Sequence, residues 1–418
     1  MSSAVVFDDG QGRLGPMTDL RSSFEVRTGA FTTFERLKLF LETTVGAELR
    51  AVATAPGLGP LATERLGLPH ISASTLDLDR YGDDEAVFVN GRCVLPPEEV
   101  DELEPGTVLV EGATGGVIAA RLEIDDARRF LDGYRAPERC VVVEYEEPCL
   151  IDFPWDVISF RDLVLDHDLS ILLKRETQPL PPGVIGINVE RIIMHPEATI
   201  YPGVVLDAGD GPIVIDDDAL IRPGAIICGP AYIGPRSTVL DHSLIKAHTA
   251  IGPVCKVAGE VGGTIFQGFA NKAHDGHLGD SWVGEWVNLG AGTTNSNLLN
   301  TYGEIVATMP PGYTGAGERQ RTGLQFLGAI LGDHVKTAIC TKLMTGSIIG
   351  TGAMLATTAA PPTSIAPFSW LTDERSQTYR LNKFTEVIRA MMARRKMEPS
   401  TAYLARLAET HQAVVSEC

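Results

Sequence analysis

The chain has 418 residues, 44% of them hydrophobic and 21% charged, enough for two or three domains with full cores. With 35 Lys+Arg against 54 Asp+Glu the net charge is −19, which argues against a broad nucleic-acid or anionic-membrane surface and leaves room only for local basic pockets. No apolar run of roughly 18 residues and no charged-then-apolar leader at Met1 occurs, so a soluble cytoplasmic protein is expected. The seven cysteines are scattered, without a Cys-x-x-Cys, which predicts buried free thiols and no metal site built on them.

Residues 1 to about 185 read as an α/β domain. Short apolar strands are predicted at Ala4–Phe7, Arg50–Ala53, Ala86–Val89 and Cys140–Val143. Helical spacing is carried by Thr33–Thr44, Ile124–Tyr134 and Phe160–Lys174. Alternating strands and helices favour a doubly wound sheet. After the first strand comes Gly10-Gln11-Gly12-Arg13, where glycines let backbone N–H groups approach a phosphate and Arg13 neutralises it. Pro179-Leu180-Pro181-Pro182-Gly183 is a stiff linker and the expected boundary.

From residue 186 to 360 the pattern changes to a period of six. Aliphatic residues open successive phrases at Ile215, Ile221, Ile227, Ile233, Val239, Ile245, Ile251 and Val257. A small or β-branched residue follows four positions later, as at Ala219, Ala225 and Ala231. Neither a helix nor a two-layer strand has this period; a parallel β-helix does, with one inward aliphatic side chain per short strand. The repeats begin near Ile193 and are broken at Gly263–Gly279 and again from Asn295 to about Gly328. Loops that leave a rigid solenoid are where function concentrates. From Pro361 to residue 418 two helices, Phe384–Lys396 and Ser400–Val415, are predicted as a C-terminal tail.

His274-Asp275-Gly276-His277-Leu278-Gly279-Asp280, followed by Val287-Asn288-Leu289-Gly290-Ala291-Gly292-Thr293, resembles the acetyltransferase half of a known family. That family is the bifunctional glucosamine-1-phosphate acetyltransferase / N-acetylglucosamine-1-phosphate uridylyltransferase. The likeness extends to Phe7-Asp8-Asp9, Asn90-Gly91-Arg92, Pro154-Trp155-Asp156, Thr322-Gly323-Leu324-Gln325-Phe326 and Pro367-Phe368-Ser369-Trp370, which resemble a divergent branch of it. The resemblance implies a left-handed β-helix that forms homotrimers. It implies His274 as general base, with Asn288 and Asn297 on the sugar and acetyl-CoA near Ala291 and towards Ala356. The family's phosphate-holding lysine is missing at Glu260-Val261-Gly262-Gly263, where Lys272, Lys256 or Arg222 is the expected substitute. Imidazole, with a pKa of ~6.5, is matched to taking the proton of an attacking amine, a step worth about 10²–10⁴-fold. Backbone N–H groups at the Gly290-Ala291-Gly292 turn are candidates to hold the oxyanion.

In the N-terminal half the resemblance assigns Gly10, Gly12 and Arg13 to a nucleotide, with Arg21 and Arg27 the cations nearest the family's missing Pro-Lys. Asn90 stands where such folds place a metal-binding Asp, and asparagine is a poorer Mg²⁺ ligand; Mg²⁺ is expected only if nucleotidyl transfer occurs. The expected partners are an amino sugar or sugar phosphate and a nucleotide, with no nucleic acid and no membrane. The expected function is acetyl transfer from acetyl-CoA to an amino sugar, with sugar-1-phosphate nucleotidyl transfer as a second activity. The alternatives are nucleotidyl transfer alone with the β-helix as trimerisation scaffold, or non-catalytic sugar-nucleotide binding.

Overall fold

Strand β1 (Ser2–Phe7) is apolar on both faces because it lies in the middle of a sheet, paired in parallel with β2 (Ala47–Ala53) and β3 (Glu85–Asn90). The structure, a computed structural model, describes residues 2–77 and 84–417. The sheet is completed by β4 (Thr107–Glu111), β5 (Val117–Glu123) and β6 (Val141–Tyr145), in the order β2-β1-β3-β5-β4-β6. Strand β5 runs antiparallel to both β3 and β4, so the sheet is mixed rather than wholly parallel. The reason is the short Gly112–Gly116 connection, which closes a hairpin but is far too brief for a parallel crossover.

Helix α1 (Thr33–Phe40) starts at a capping box in which Thr32 and Glu35 bond each other's backbone N–H. It winds into a π-helical turn, Leu41–Val45, and stops at Gly46 (φ 66°). Helices α2 (Gly59–Leu66) and α3 (Ile124–Leu131) flank the sheet, and α4 (Asp156–Leu172) leaves it for the second domain.

The second domain is a left-handed β-helix with three flat faces. Ile215 pairs with Ile233 and Ile233 with Ile251, a step of 18 residues, or three hexapeptides per coil. Stacking begins at Ile185–Ile187, before the first recognisable repeat, and continues past residue 360 through Ser364–Ile365 and Ser369–Thr372 to a hairpin strand, Ser376–Thr378. Those last coils escape the repeat pattern because Ser369–Thr372 is only half-buried, as a capping coil must be. Inside runs one apolar column, from Met194 through Ile215, Ile233, Ile251 and Leu331 to Ile365, all at most 3% exposed.

Gly263–Gly279 is not a break. Ile265–Phe266, Asn271–Lys272 and His277–Gly279 each pair with the preceding coil, in a turn shortened so that Ile251 pairs with Phe266. Asn295–Gly328 does leave the solenoid, as a hairpin of Val306–Thr308 with Arg319–Arg321.

One face also carries an apolar column on its outside: Ile193, Val214, Tyr232, Ala250, Ile265, Trp282, Ile330 and Ile348, in register. Val164, Leu165 and Leu169 of α4 pack on it, so the two domains share a core. Helices α5 (Leu381–Ala393) and α6 (Thr401–Glu417) close the third side, where Phe384, Ile388 and Leu407 contact Leu20 and Leu61 of the first domain and Trp286 and Phe368 of the second. No described helix is long and apolar enough to cross a membrane. Cys93, Cys149 and Cys255 are buried thiols, but Cys140 and Cys228 are half-buried and Cys340 is exposed; Cys418 lies outside the described residues.

Candidate functional site

At the C-terminal end of β1 the chain turns through Asp8 and Asp9 into the glycine loop. Gly10 takes a left-handed φ of 64°, and the Gly10 and Gln11 N–H groups donate to Asp8 and Asp9 (3.1 and 3.0 Å). Gly12 has no room for a Cβ, which would lie 2.8 Å from Cδ of Arg92. Arg92 enters from the end of β3. Its Nε and terminal nitrogen donate to both oxygens of Asp9 (2.9 and 2.8 Å), and its other nitrogen to Ile151 O (3.1 Å) and Asp152. Asn90 Nδ2 donates to the same Asp9 (2.9 Å), while its Oδ1 accepts the Arg92 N–H. Burial works against the Asp9 charge, but the Arg92 bonds and charge win and hold its carboxyl below the usual range. Asp8, wholly buried, is pushed up.

Two adjoining hollows of about 340 and 250 Å³ meet at Arg13 and Arg92. The first is lined by Gln11, the Thr114–Val117 turn, Tyr134 and Arg135; the second by Thr18, Leu58 and, from the β-helix, Tyr313. Arg13 lies over the Phe153 ring (4.3 Å) and pairs with Glu318 (3.2 Å). Tyr313 and Glu318 belong to the excursion from the solenoid, and Tyr313 donates to Asp19 (2.7 Å). The far domain therefore walls the cleft. The sequence carries no signal for this, since nothing local ties residue 313 to residue 19.

Of the expected nucleotide contacts, Gly10, Gly12 and Arg13 lie together in this cleft; Arg21 and Arg27 do not. Arg21 is buried against Asp333 (2.9 Å) and Glu285 (3.2 Å), and Arg27 bonds the backbone of Gln267 (3.3 Å) and Ala30. Both fasten the domains together. The cleft does not fit a resident divalent cation: Asp9 and Asp152 are both engaged by Arg92, Asn90 by its backbone, and no group of three or more His, Cys, Asp or Glu side chains among the described residues is placed to hold a metal.

On the β-helix, His274 stands exposed at the corner after Asn271–Lys272, and its imidazole has no hydrogen-bond partner among the described residues. Lys272, expected on the sugar phosphate, points inward instead; its Nζ donates to Ala258 O (2.8 Å) and His274 O (3.0 Å), and burial lowers its pKa to about 8. Asn288 accepts from Asn271 (2.8 Å) in the neighbouring coil. Asn297 donates to Asp280 (2.6 Å), which pairs with Arg161 of α4 (2.7 Å). Ala291 lies one coil from His274, its carbonyl taken by the Cys340 N–H (2.7 Å), and Ala356 is exposed further along the same face. The Gly290 and Gly292 N–H groups donate to Thr337 and Asp275, so neither is free to hold an oxyanion.

His277 has no role in the resemblance. Its Nδ1 lies 3.4 Å from Glu260, which also binds Lys246 (2.5 Å). His277 and Asn297 both crowd Gly279, where a Cβ would lie 2.7 and 2.8 Å from their side chains. The coil register brings Glu260 and His277 together, and 17 residues of spacing could not have shown it.

Residues 4–177 match the model of the family described as sugar nucleotidyl transferase. The chain is 32% identical over 241 residues to a bifunctional sugar-1-phosphate nucleotidylyltransferase/acetyltransferase of Sulfurisphaera tokodaii, covering 56% of this chain and 50% of that protein. It is 25% identical over 202 residues to the bifunctional protein GlmU of Methanococcus vannielii, covering 48% and 41%. The chain thus spans about half the length of the curated relatives it matches. Among solved structures, the acetyltransferase domain of PglB from Neisseria gonorrhoeae aligns with 13% identity and a TM-score of 0.20, over 45% of this chain and 90% of that one. The resemblance to bifunctional sugar-1-phosphate nucleotidyltransferase/acetyltransferases holds.

Proposed function

We propose that this chain is a two-site transferase of sugar-nucleotide metabolism. The N-terminal cleft takes a nucleotide and a sugar 1-phosphate, and the β-helix transfers an acetyl group from acetyl-CoA to an amino sugar or its phosphate. The observation that carries this reading is the meeting of the Gly10–Gly12 loop with Arg13 and Arg92 at the end of β1, within the segment that matches the nucleotidyl transferase family. In the cleft, a sugar phosphate oxygen attacks the α-phosphorus, the bond to the leaving group breaks, and pyrophosphate departs. Arg13, half-exposed, paired with one surface carboxylate and lying over the Phe153 ring, can turn onto the phosphates, where its planar fork suits two oxygens.

On the β-helix, the amine nitrogen attacks the thioester carbon, the C–S bond breaks and CoA leaves, while an imidazole takes the amine proton. His274 is the general base in this reading, since its ring is exposed and unpartnered. His277, oriented by Glu260, is the alternative base. Asn288 and Asn297 position the acceptor, and Ala291 and Ala356 mark the path of acetyl-CoA. The exposed Ile185, Ile187 and Ile226 on the face that continues to His277 support a subunit interface there, which in a homotrimer would place this corner at a subunit boundary.

A second reading is favoured by the Arg92 fork on Asp9 and Asp152: the cleft binds a nucleotide sugar without turning it over. CoA release from acetyl-CoA over a panel of amino sugars, and pyrophosphate release with each nucleoside triphosphate and sugar 1-phosphate, separate these readings. Release of CoA that His274→Ala abolishes and His277→Ala spares assigns the base; the reverse pattern moves the role to His277. No pyrophosphate with any pair would leave the cleft as a binding site.

A further inference from the structure

Beyond the cleft and the His274 corner, the β-helix carries a column of outward side chains with unusual charge. Lys256 is in register with Asn271, Asn271 with Asn288 and Asn288 with Lys336. Strands in such a ladder lie ~4.8 Å apart, so the two lysines are ~14 Å apart along the coils, with a hydrogen-bonded amide pair between them. The corner before this column supplies Phe269 and Trp286, whose left-handed backbones (φ 54° and 61°) bring their rings into a stack at 4.7 Å. Helix α5 crosses above, placing Met391 beside Lys336 and, past its end, Arg394 and Arg395 over the opening. These residues enclose a groove of about 390 Å³, within the range that small-molecule sites occupy.

Lys256, Lys336, Arg394 and Arg395 converge on this groove, and none forms an ion pair among the described residues, in a chain whose net charge is −19. Among the described residues the Lys336 ammonium has only neutral acceptors, Trp286 O at 3.4 Å and Met391 Sδ at 3.2 Å. Burial lowers its pKa to about 8. The end of α5 favours two arginines by itself, through the negative end of its dipole. It does not account for the lysines below. Four cations held together without a carboxylate repel one another, and a bound polyanion relieves that repulsion with charge-assisted hydrogen bonds.

We propose that this groove binds a phosphorylated nucleoside, with its phosphates among Lys336, Lys256 and the two arginines and its ring against Phe269. The amides of Asn271 and Asn288 on the floor supply donors and acceptors to the ring edge or sugar. A free nucleotide and the nucleotide end of the acetyl donor share this chemistry. Asn288 also belongs to the acceptor site of the proposed function, so assignment of the groove to the acetyl donor rests on that reading, whereas nucleotide binding itself is read without turnover.

The test is a titration of Trp fluorescence in the full-length protein with adenosine 3′,5′-bisphosphate and, separately, uridine diphosphate. At least one of the two is expected to change the emission saturably, and Trp286→Phe to remove that response. Lys336→Met is expected to raise the Kd at least tenfold, and Arg394→Ala, at an exposed position that leaves folding intact, several-fold. Arg13→Ala in the cleft leaves this response unchanged. Preference for adenosine 3′,5′-bisphosphate assigns the groove to the acetyl donor, and preference for uridine diphosphate to a free nucleotide. If neither nucleotide binds, or if Lys336→Met and Arg394→Ala bind as the parent does, the proposal is overturned.

Discussion

Arg92 decides what the N-terminal cleft can do. A guanidinium spread over Asp9, Asp152 and Ile151 O occupies the carboxylates on which a divalent cation would depend, and Asn90 completes the ring of bonds. Nucleoside diphosphate sugar binding to this cleft is therefore expected to be the same in EDTA as in millimolar Mg²⁺, by calorimetry; a tenfold loss in EDTA would contradict it. Gly10, Gly12 and Arg13 could be read from the sequence because they are contiguous, whereas the Arg92–Asp9 fork spans 83 residues and could not. Lys272 was legible as a cation but not as an inward one. Its pKa of about 8 lies below the ~10.4 of an unfolded lysine, so between those pH values the unfolded chain holds more protons and stability rises with pH. Lys272→Met should flatten that part of the stability–pH curve in chemical denaturation. An unchanged slope would mean that the ammonium is not buried as described.

The period-six pattern announces the solenoid because each inward position faces the same aliphatic column, coil after coil. Its apparent break at Gly263–Gly279 has a physical cause: a shortened coil keeps its three strands and loses only corner residues, so the stack survives while the spacing does not. The outward column from Ile193 to Ile348 was equally present in the sequence, but its meaning depends on α4, which lies in the other domain. Trp282 is the largest side chain in it, fully buried, and its Nε1 donates to Arg27 O (3.1 Å). Trp282→Ala removes both the packing and a buried bond between domains, and should cost about 3–5 kcal/mol in denaturant titration. A loss under about 1 kcal/mol would show that α4 does not depend on this face.

At the scale of the molecule, the three parts meet in a buried polar cluster. Arg21 of the first domain binds Asp333 and Glu285 of the β-helix, Arg65 of α2 reaches Glu285 (3.6 Å), and Tyr403 of α6 bonds His334. Arg406 of α6 donates to Asp19 O (2.8 Å), beside the cleft. A buried charge network of this kind fixes orientation more than it adds stability, and here it holds cleft and β-helix in one arrangement. It also explains why Arg21, a plausible phosphate ligand in sequence, is unavailable to the cleft. In the proposed function two chemistries share this frame, one at Arg13 and one at His274. Its most direct test is CoA release and pyrophosphate release measured side by side on the full-length chain and two variants. His274→Ala is expected to abolish CoA release and leave pyrophosphate release intact, while Arg13→Ala does the reverse. CoA release that persists at the parent rate in His274→Ala would contradict it.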